Sequence, residues 1–258
     1  MITRREFSGA LMATAAGALV TNHALAPSAT TVKARNVVLV HGLFADGSCW
    51  IDVISRLQKH DLNVMSVQNP LTTLSESAAA AERVLNRLDG PTVLVGHSFS
   101  GMIVTQVGVH PRVSAVVYVA ARAPDANEDY PALAAQYPAP PASAGIVFDD
   151  DEGRLTEKAF INDFAGDLPE ERARILYAVQ VPFCKALLTG RATEASWRTK
   201  PSFYAISTED RTINPDLQRF MAKRMGARSI EVRASHVSLI SQPDAIANLI
   251  LEAAGRQS

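Results

Sequence analysis

The sequence is short of cysteine, of net charge and of metal-ligating patterns, and each shortage removes a class of function. Two cysteines among 258 residues, Cys49 and Cys184, are too few for a disulfide scaffold, which leaves open only whether these two pair in an oxidising compartment. Lys and Arg number 25 against 26 Asp and Glu, a formal net charge of −1. Without a basic excess there is no field to hold a polyanion, so nucleic acid is not an expected partner. No His-Glu-x-x-His and no Cys/His cluster occurs, so metal is not expected, and with no dinucleotide glycine motif no other cofactor is either. What is present is 47% hydrophobic and 20% charged residues. Those proportions exclude disorder, and over this length they suit one large α/β domain as well as two small ones.

Residues 1–29 have the three-part form of an export signal. Arg4-Arg5 supplies the charge, and Gly9–Val20 is an uncharged, mostly apolar run of 12 residues, short of the ~20 that span a bilayer as a helix. Small-residue sites follow at Ala24-Leu25-Ala26 and Pro27-Ser28-Ala29, with cleavage expected after Ala29. Thr3-Arg4-Arg5-Glu6-Phe7 resembles the twin-arginine type of signal, which implies export in a folded state. The expectation is a mature domain over residues 30–258, periplasmic or secreted, with no stable membrane anchor once the signal is gone.

From Asn36 the chain alternates short β-branched runs with amphipathic stretches, the pattern of βαβ units around a parallel sheet. Strands are predicted at Asn36–Val40, Leu62–Val67, Thr92–Val95, Val113–Val119, Ser202–Ile206 and Ser229–Val232. Helices are predicted over about 49–59, where Trp50, Val53, Ile54 and Leu57 share one face, from Thr73 with its Thr73-x-x-Glu76 capping box, over about 100–109 and 215–225, and from Pro243 to about Ala254. Residues from about 122 to 200 break the rhythm with a Pro/Ala-rich stretch, an acidic turn at Asp149–Glu152 and a helical reading over Thr156–Leu188. So long a segment between two sheet strands reads as an inserted cap.

The most informative segment is Gly96-His97-Ser98-Phe99-Ser100-Gly101, where an apolar strand turns through small residues into a helix and thrusts a serine outward. The usual form is G-x-S-x-G, and here Ser100 stands at the final position. A phosphate loop is excluded because Met102-Ile103 occupies the place of its Lys and Ser/Thr. Ser98 needs a base, and the base needs a carboxylate. His23 lies in the signal, His60 in a polar helix end and His110 before a proline; His41 and His97 flank glycines and are read as structural. His236 remains, just beyond strand Ser229–Val232, where an α/β sheet delivers side chains to its carboxyl edge. Asp210, after Ser202–Ile206, is the chosen acid, with Glu209 and then Asp125 as alternatives. For a developing oxyanion the backbone N–H groups of Phe99 and of Leu43, in the turn His41-Gly42-Leu43-Phe44, are the candidate donors.

Together Val38-Leu39-Val40-His41-Gly42, the Ser98 turn, Asp210 and His236 make the chain resemble the α/β-hydrolase superfamily from Asn36 to about Ala254. Its nearest likeness is to the small branch that holds plant methyl esterases, hydroxynitrile lyases and bacterial esterases, including pyrethroid-ester hydrolases. The resemblance implies an α/β fold with about six mostly parallel strands flanked by helices and a helical cap, and a serine carboxylic-ester hydrolase working through an acyl-enzyme. Ser98 in place of Asp disfavours dehalogenase or epoxide hydrolase chemistry, and Val237 after His236, where the lyases carry Lys, disfavours a lyase. A perhydrolase side activity, or a non-catalytic binding protein on the same fold, is the alternative. The expected partner is a small to medium apolar or aryl ester, with Phe44 and Trp197 as candidate pocket residues.

Overall fold

A computed structural model describes residues 32–256. The signal assigned to residues 1–29 and its cleavage after Ala29 therefore lie outside the described residues. Six strands form the main sheet: β1 (Asn36–Val40), β2 (Asn63–Val67), β3 (Thr92–His97), β4 (Val113–Val119), β8 (Ser202–Ser207) and β9 (Arg228–Val232). They lie side by side in the order β2-β1-β3-β4-β8-β9, and every pairing is parallel. Strands β1 and β3 are buried along their whole length, which is why they read as unbroken apolar runs rather than alternating ones.

The chain enters the sheet at β1, steps outward to β2, then crosses back to β3 on the other side. That reversal puts the carboxyl ends of β1 and β3 next to each other, with Val40 opposite Gly96, and a crevice opens above such a switch point. Helices α1 (Ile51–Gln58) and α9 (Pro243–Ala253) pack together on one face, joined by the short α8 (Ser238–Ser241), and α2 (Leu74–Leu85) packs with α3 (Gly101–Val107) on the other. Helix α7 (Pro215–Arg224) covers β8. Thr73 caps α2 by accepting the N–H of Glu76 at 3.2 Å, as the capping box requires.

The excursion between β4 and β8 carries α4 (Tyr130–Ala134), α5 (Glu157–Ala159) running into a π-turn at Phe160–Phe164, and α6 (Glu170–Ala178). It also holds an antiparallel sheet of β5 (Ile146–Asp149), β6 (Glu152–Leu155) and β7 (Phe183–Cys184). The helical reading of Thr156–Leu188 is corrected at its end: Phe183 and Cys184 pair with Gly153 and Glu152. The hairpin turns at Asp150, φ +50°. Three of the four residues of β5 are exposed, so no polar/apolar alternation marks it in the sequence. Cys49 and Cys184 are both free thiols, and no helix among the described residues is long and apolar enough to cross a membrane.

Candidate active site

Ser98 sits at the carboxyl end of β3 with φ +58°, a left-handed conformation that costs a non-glycine residue about 1–3 kcal/mol and persists only where the surroundings hold it. Two contacts do so. A Cβ at Gly42 would lie 2.6 Å from the Cβ of Ser98, so only glycine lets the β1 turn press against the serine. Ser100 is wholly buried and its hydroxyl donates to the His41 carbonyl, which ties the turn after β3 to the turn after β1. The displaced glycine of the motif also has its reason: a Cβ at Gly101 would come within 1.8 Å of the Arg122 carbonyl oxygen.

His236 lies between β9 and α8. Its Nε2 is 2.7 Å from the Ser98 hydroxyl and its Nδ1 is 2.7 Å from Asp210 Oδ2. Asp210 lies in the turn after β8 and is held from three further sides: Oδ1 accepts the N–H groups of Thr212 at 2.7 Å and Ile213 at 3.0 Å, and Oδ2 accepts the Gln218 amide at 2.7 Å. Ser98, Asp210 and His236 are 6%, 5% and 0% exposed. The two other carboxylates weighed from the sequence are engaged elsewhere. Glu209 accepts Arg233 on the surface at 2.7 Å, and the Arg198 guanidinium holds the Asp125 carboxyl below the usual carboxylate range.

His41 and His97 brace the loops around this group. Burial, and His236 beside it, push the pKa of His97 well below the ordinary imidazole value, and the neutral ring donates from Nε2 to the His236 carbonyl at 2.9 Å. Burial lowers His41 as well. Its Nε2 accepts the Asn69 N–H at 2.9 Å and its Nδ1–H donates to the Gly42 carbonyl at 2.9 Å. Among the described residues, no protein group accepts the N–H of Leu43 or that of Phe99. They flank Ser98 on the β1 and β3 turns.

Above Ser98 opens a cavity of about 190 Å³, bounded below by Leu43, Phe44, Ile213 and Leu217 and above by cap residues that include Tyr130, Ile146, Leu155 and Leu188. Phe44 is thus on the wall, wedged edge-on against Phe164 and Phe183. Trp197 is not, which corrects its assignment to the pocket. Its indole N–H donates to the Pro124 carbonyl at 2.7 Å and its ring stacks on Arg198, a structural role at the foot of the cap. Three residues went unnoticed in the sequence: Arg122 and Tyr130 on the cavity wall, and Gln218 behind Asp210. Gln218 had a visible signal, an amide at helical spacing with Leu217, Met221 and Ala222, which the structure buries with them on the inner face of α7. Burial pushes the Tyr130 phenol up to about 12, so it is neutral at physiological pH. Among the described residues no group of three His, Cys, Asp or Glu side chains could hold a metal ion. The hydroxyl, imidazole and carboxylate in series can move a proton off Ser98 and hold the resulting cation.

The fold has counterparts among known proteins. The model of the alpha/beta hydrolase family matches residues 37–249. A pyrethroid hydrolase of Sphingobium wenxiniae is 23% identical over 247 residues, covering 84% of this chain and 86% of that protein. Among solved structures, a pyrethroid hydrolase from Sphingobium faniae superposes with a TM-score of 0.71 at 18% identity, covering 85% of this chain and 96% of the other. An extracellular α/β-hydrolase from a Paenibacillus species, described as sharing structural and functional homology with tobacco salicylic acid binding protein 2, gives 0.71 at 22% identity, covering 84% and 98%.

Proposed function

The chain belongs to the α/β-hydrolase family, and on that premise we propose that it is a serine-dependent carboxylic-ester hydrolase acting through an acyl-enzyme on a small to medium apolar or aryl ester. The observation that carries the reading is the unbroken series from Ser98 through His236 to Asp210, with a 2.7 Å contact at each step, beneath an apolar cavity. Ser98 Oγ attacks the ester carbonyl while His236 Nε2 takes its proton. Asp210 keeps Nδ1 protonated and stabilises the imidazolium. The tetrahedral oxyanion is held by the N–H groups of Leu43 and Phe99, each worth about 3–4 kcal/mol when aligned on it. Collapse expels the alcohol, which takes the proton back from His236. Water then attacks the acyl-enzyme with His236 again as base, releasing the acid and restoring Ser98. Hydrolases among the relatives, acting on pyrethroids by their names, support an ester as the substrate class.

The test is kcat/KM on 4-nitrophenyl esters from acetate to decanoate, with Ser98→Ala alongside. The expected result is hydrolysis that peaks at one acyl length and falls on the order of 10⁶-fold in the variant, with folding intact. Equal activity in Ser98→Ala overturns the mechanism.

A further inference from the structure

Among the residues lining the cavity above Ser98, Arg122 alone carries a charge. It stands three residues beyond the end of β4, and its backbone N–H donates to the Ser98 carbonyl at 2.9 Å, so the root of the side chain is fixed one hydrogen bond from the nucleophile. The guanidinium carbon stands 4.7 Å from the centroid of the Tyr130 ring and 5.4 Å from that of Phe99. These two aromatic faces hold the guanidinium by cation–π attraction and leave its N–H edge open.

Nothing among the described residues matches that edge. Arg198, Arg211 and Arg224 nearby are each paired with a carboxylate, Asp125, Asp163 and Glu128 in turn, and Asp210 is taken by His236, Gln218 and two backbone N–H groups. Among the described residues the Arg122 guanidinium has neither an ion pair nor a hydrogen bond. Burial pushes its pKa down, with Tyr130 pulling the other way. Half-buried and without a protein acceptor for its five donors, the guanidinium is costly to keep in an apolar chamber. A pocket that had only to grip a neutral ester would gain more from Leu or Met there. The fork of the guanidinium fits a carboxylate through two parallel hydrogen bonds, and the rest of the wall, Leu43, Ile146, Leu155, Leu188 and Ile213, fits hydrocarbon.

We infer that Arg122 is a specificity determinant for an anionic ester, one whose apolar body ends in a free carboxylate that pairs with the guanidinium while the ester carbonyl lies over Ser98. This rests on the serine-hydrolase reading above for the reaction, though not for the binding. Placing a carboxylate against Arg122 replaces the missing acceptor and positions the scissile bond, and a neutral analogue leaves the guanidinium unmatched, which is the stronger source of discrimination.

The experiment compares two matched pairs of esters: 4-nitrophenyl hydrogen adipate against its methyl-capped diester, with the charge on the acyl side, and 4-carboxyphenyl hexanoate against its methyl ester, with the charge on the alcohol side. In the unaltered enzyme kcat/KM favours the free acid of one pair by about 10- to 100-fold, the range one charge-assisted pair supplies. That ratio collapses toward one in Arg122→Met and falls part way in Arg122→Lys, which keeps the charge and loses the fork. The pair that shows the preference tells which half of the substrate faces Arg122. Calorimetric binding of monomethyl adipate to Ser98→Ala, and its loss in the Ser98→Ala/Arg122→Met double variant, reads the same contact without turnover. Equal or greater activity on the neutral member of both pairs in the unaltered enzyme overturns the inference, whether or not the variants fold, and leaves ester hydrolysis standing. Absence of any hydrolysis together with Arg122-dependent binding sinks the hydrolase reading and keeps the anion site.

Discussion

The floor of the cavity is made of short turns at the carboxyl ends of β1, β3, β8 and β9, whereas its roof is the long excursion between β4 and β8. On the floor almost every backbone atom is constrained. Phe44 and Ser98 are held at positive φ, Ser100 is bonded to the neighbouring turn, and Asp210 is fixed by four hydrogen bonds. The roof is built from helices of a turn or two and strands of two to four residues, with Val147 and Phe148 exposed on its edge. The contrast separates two tasks. Proton transfer needs groups held to a fraction of an ångström, which a sheet edge provides, and the choice of substrate needs a wall that can be rebuilt without disturbing them.

That division can be broken by substitutions on either side of it. On the floor, Asp210→Asn leaves His236 without the acceptor that fixes its tautomer, and kcat is expected to fall on the order of 10⁴-fold, while Glu209→Gln, one residue away on the surface, leaves turnover as it was. Steady-state kinetics on a single 4-nitrophenyl ester decides this, and a loss in Glu209→Gln matching that in Asp210→Asn would reverse the assignment of the acid. On the roof, Leu188→Ala enlarges the cavity and is expected to move the preferred acyl length upward, with changes in kcat/KM of about tenfold or less on any one ester. A uniform fall across all chain lengths would mean that the roof takes part in positioning the catalytic group.

The smallest effect concerns the two histidines that brace the floor. Burial holds His41 and His97 neutral, with pKa values below the ordinary 6.5. The unfolded chain takes up protons on both as the pH drops through that value, and the native chain does not until the pH is lower still. Stability is therefore full above 6.5 and declines below it, by at most about 1.4 kcal/mol per pH unit for each histidine until the pH reaches that ring's own native value. Urea unfolding between pH 7.5 and 5 measures the slope, and His97→Asn should make it shallower. A stability that holds constant or increases as the pH falls through this window would show that these rings are protonated in the fold.

The main sheet was legible because β1, β3 and β4 are runs rich in β-branched residues bounded by turn signals, and the order of Ser98, Asp210 and His236 along the chain followed from the ends of three of the predicted strands. The β5–β6 hairpin was not legible, since β5 is three successive apolar residues, Ile146, Val147 and Phe148, with no alternation to mark a strand. Phe183–Cys184 pairs across to β6 from a stretch that reads locally as helix. Trp197 was misplaced because an aromatic in a cap segment serves packing as well as binding, and only its hydrogen bond to Pro124 tells which. Arg122 went unnoticed because nothing local distinguishes an arginine with a surface partner from one without.

The sequence by itself determined the six parallel strands, the strained serine turn and the residue types that stand at the strand ends, because apolar runs and small-residue turns act over a few residues. Only the tertiary structure decided that Ser98 and His236, 138 residues apart, meet at 2.7 Å, that Asp210 and not Glu209 completes the series, and that a guanidinium without a counter-charge among the described residues faces the same cavity. Those facts depend on which strand ends lie side by side and on what else has already claimed each charge, and both are properties of packing between distant segments.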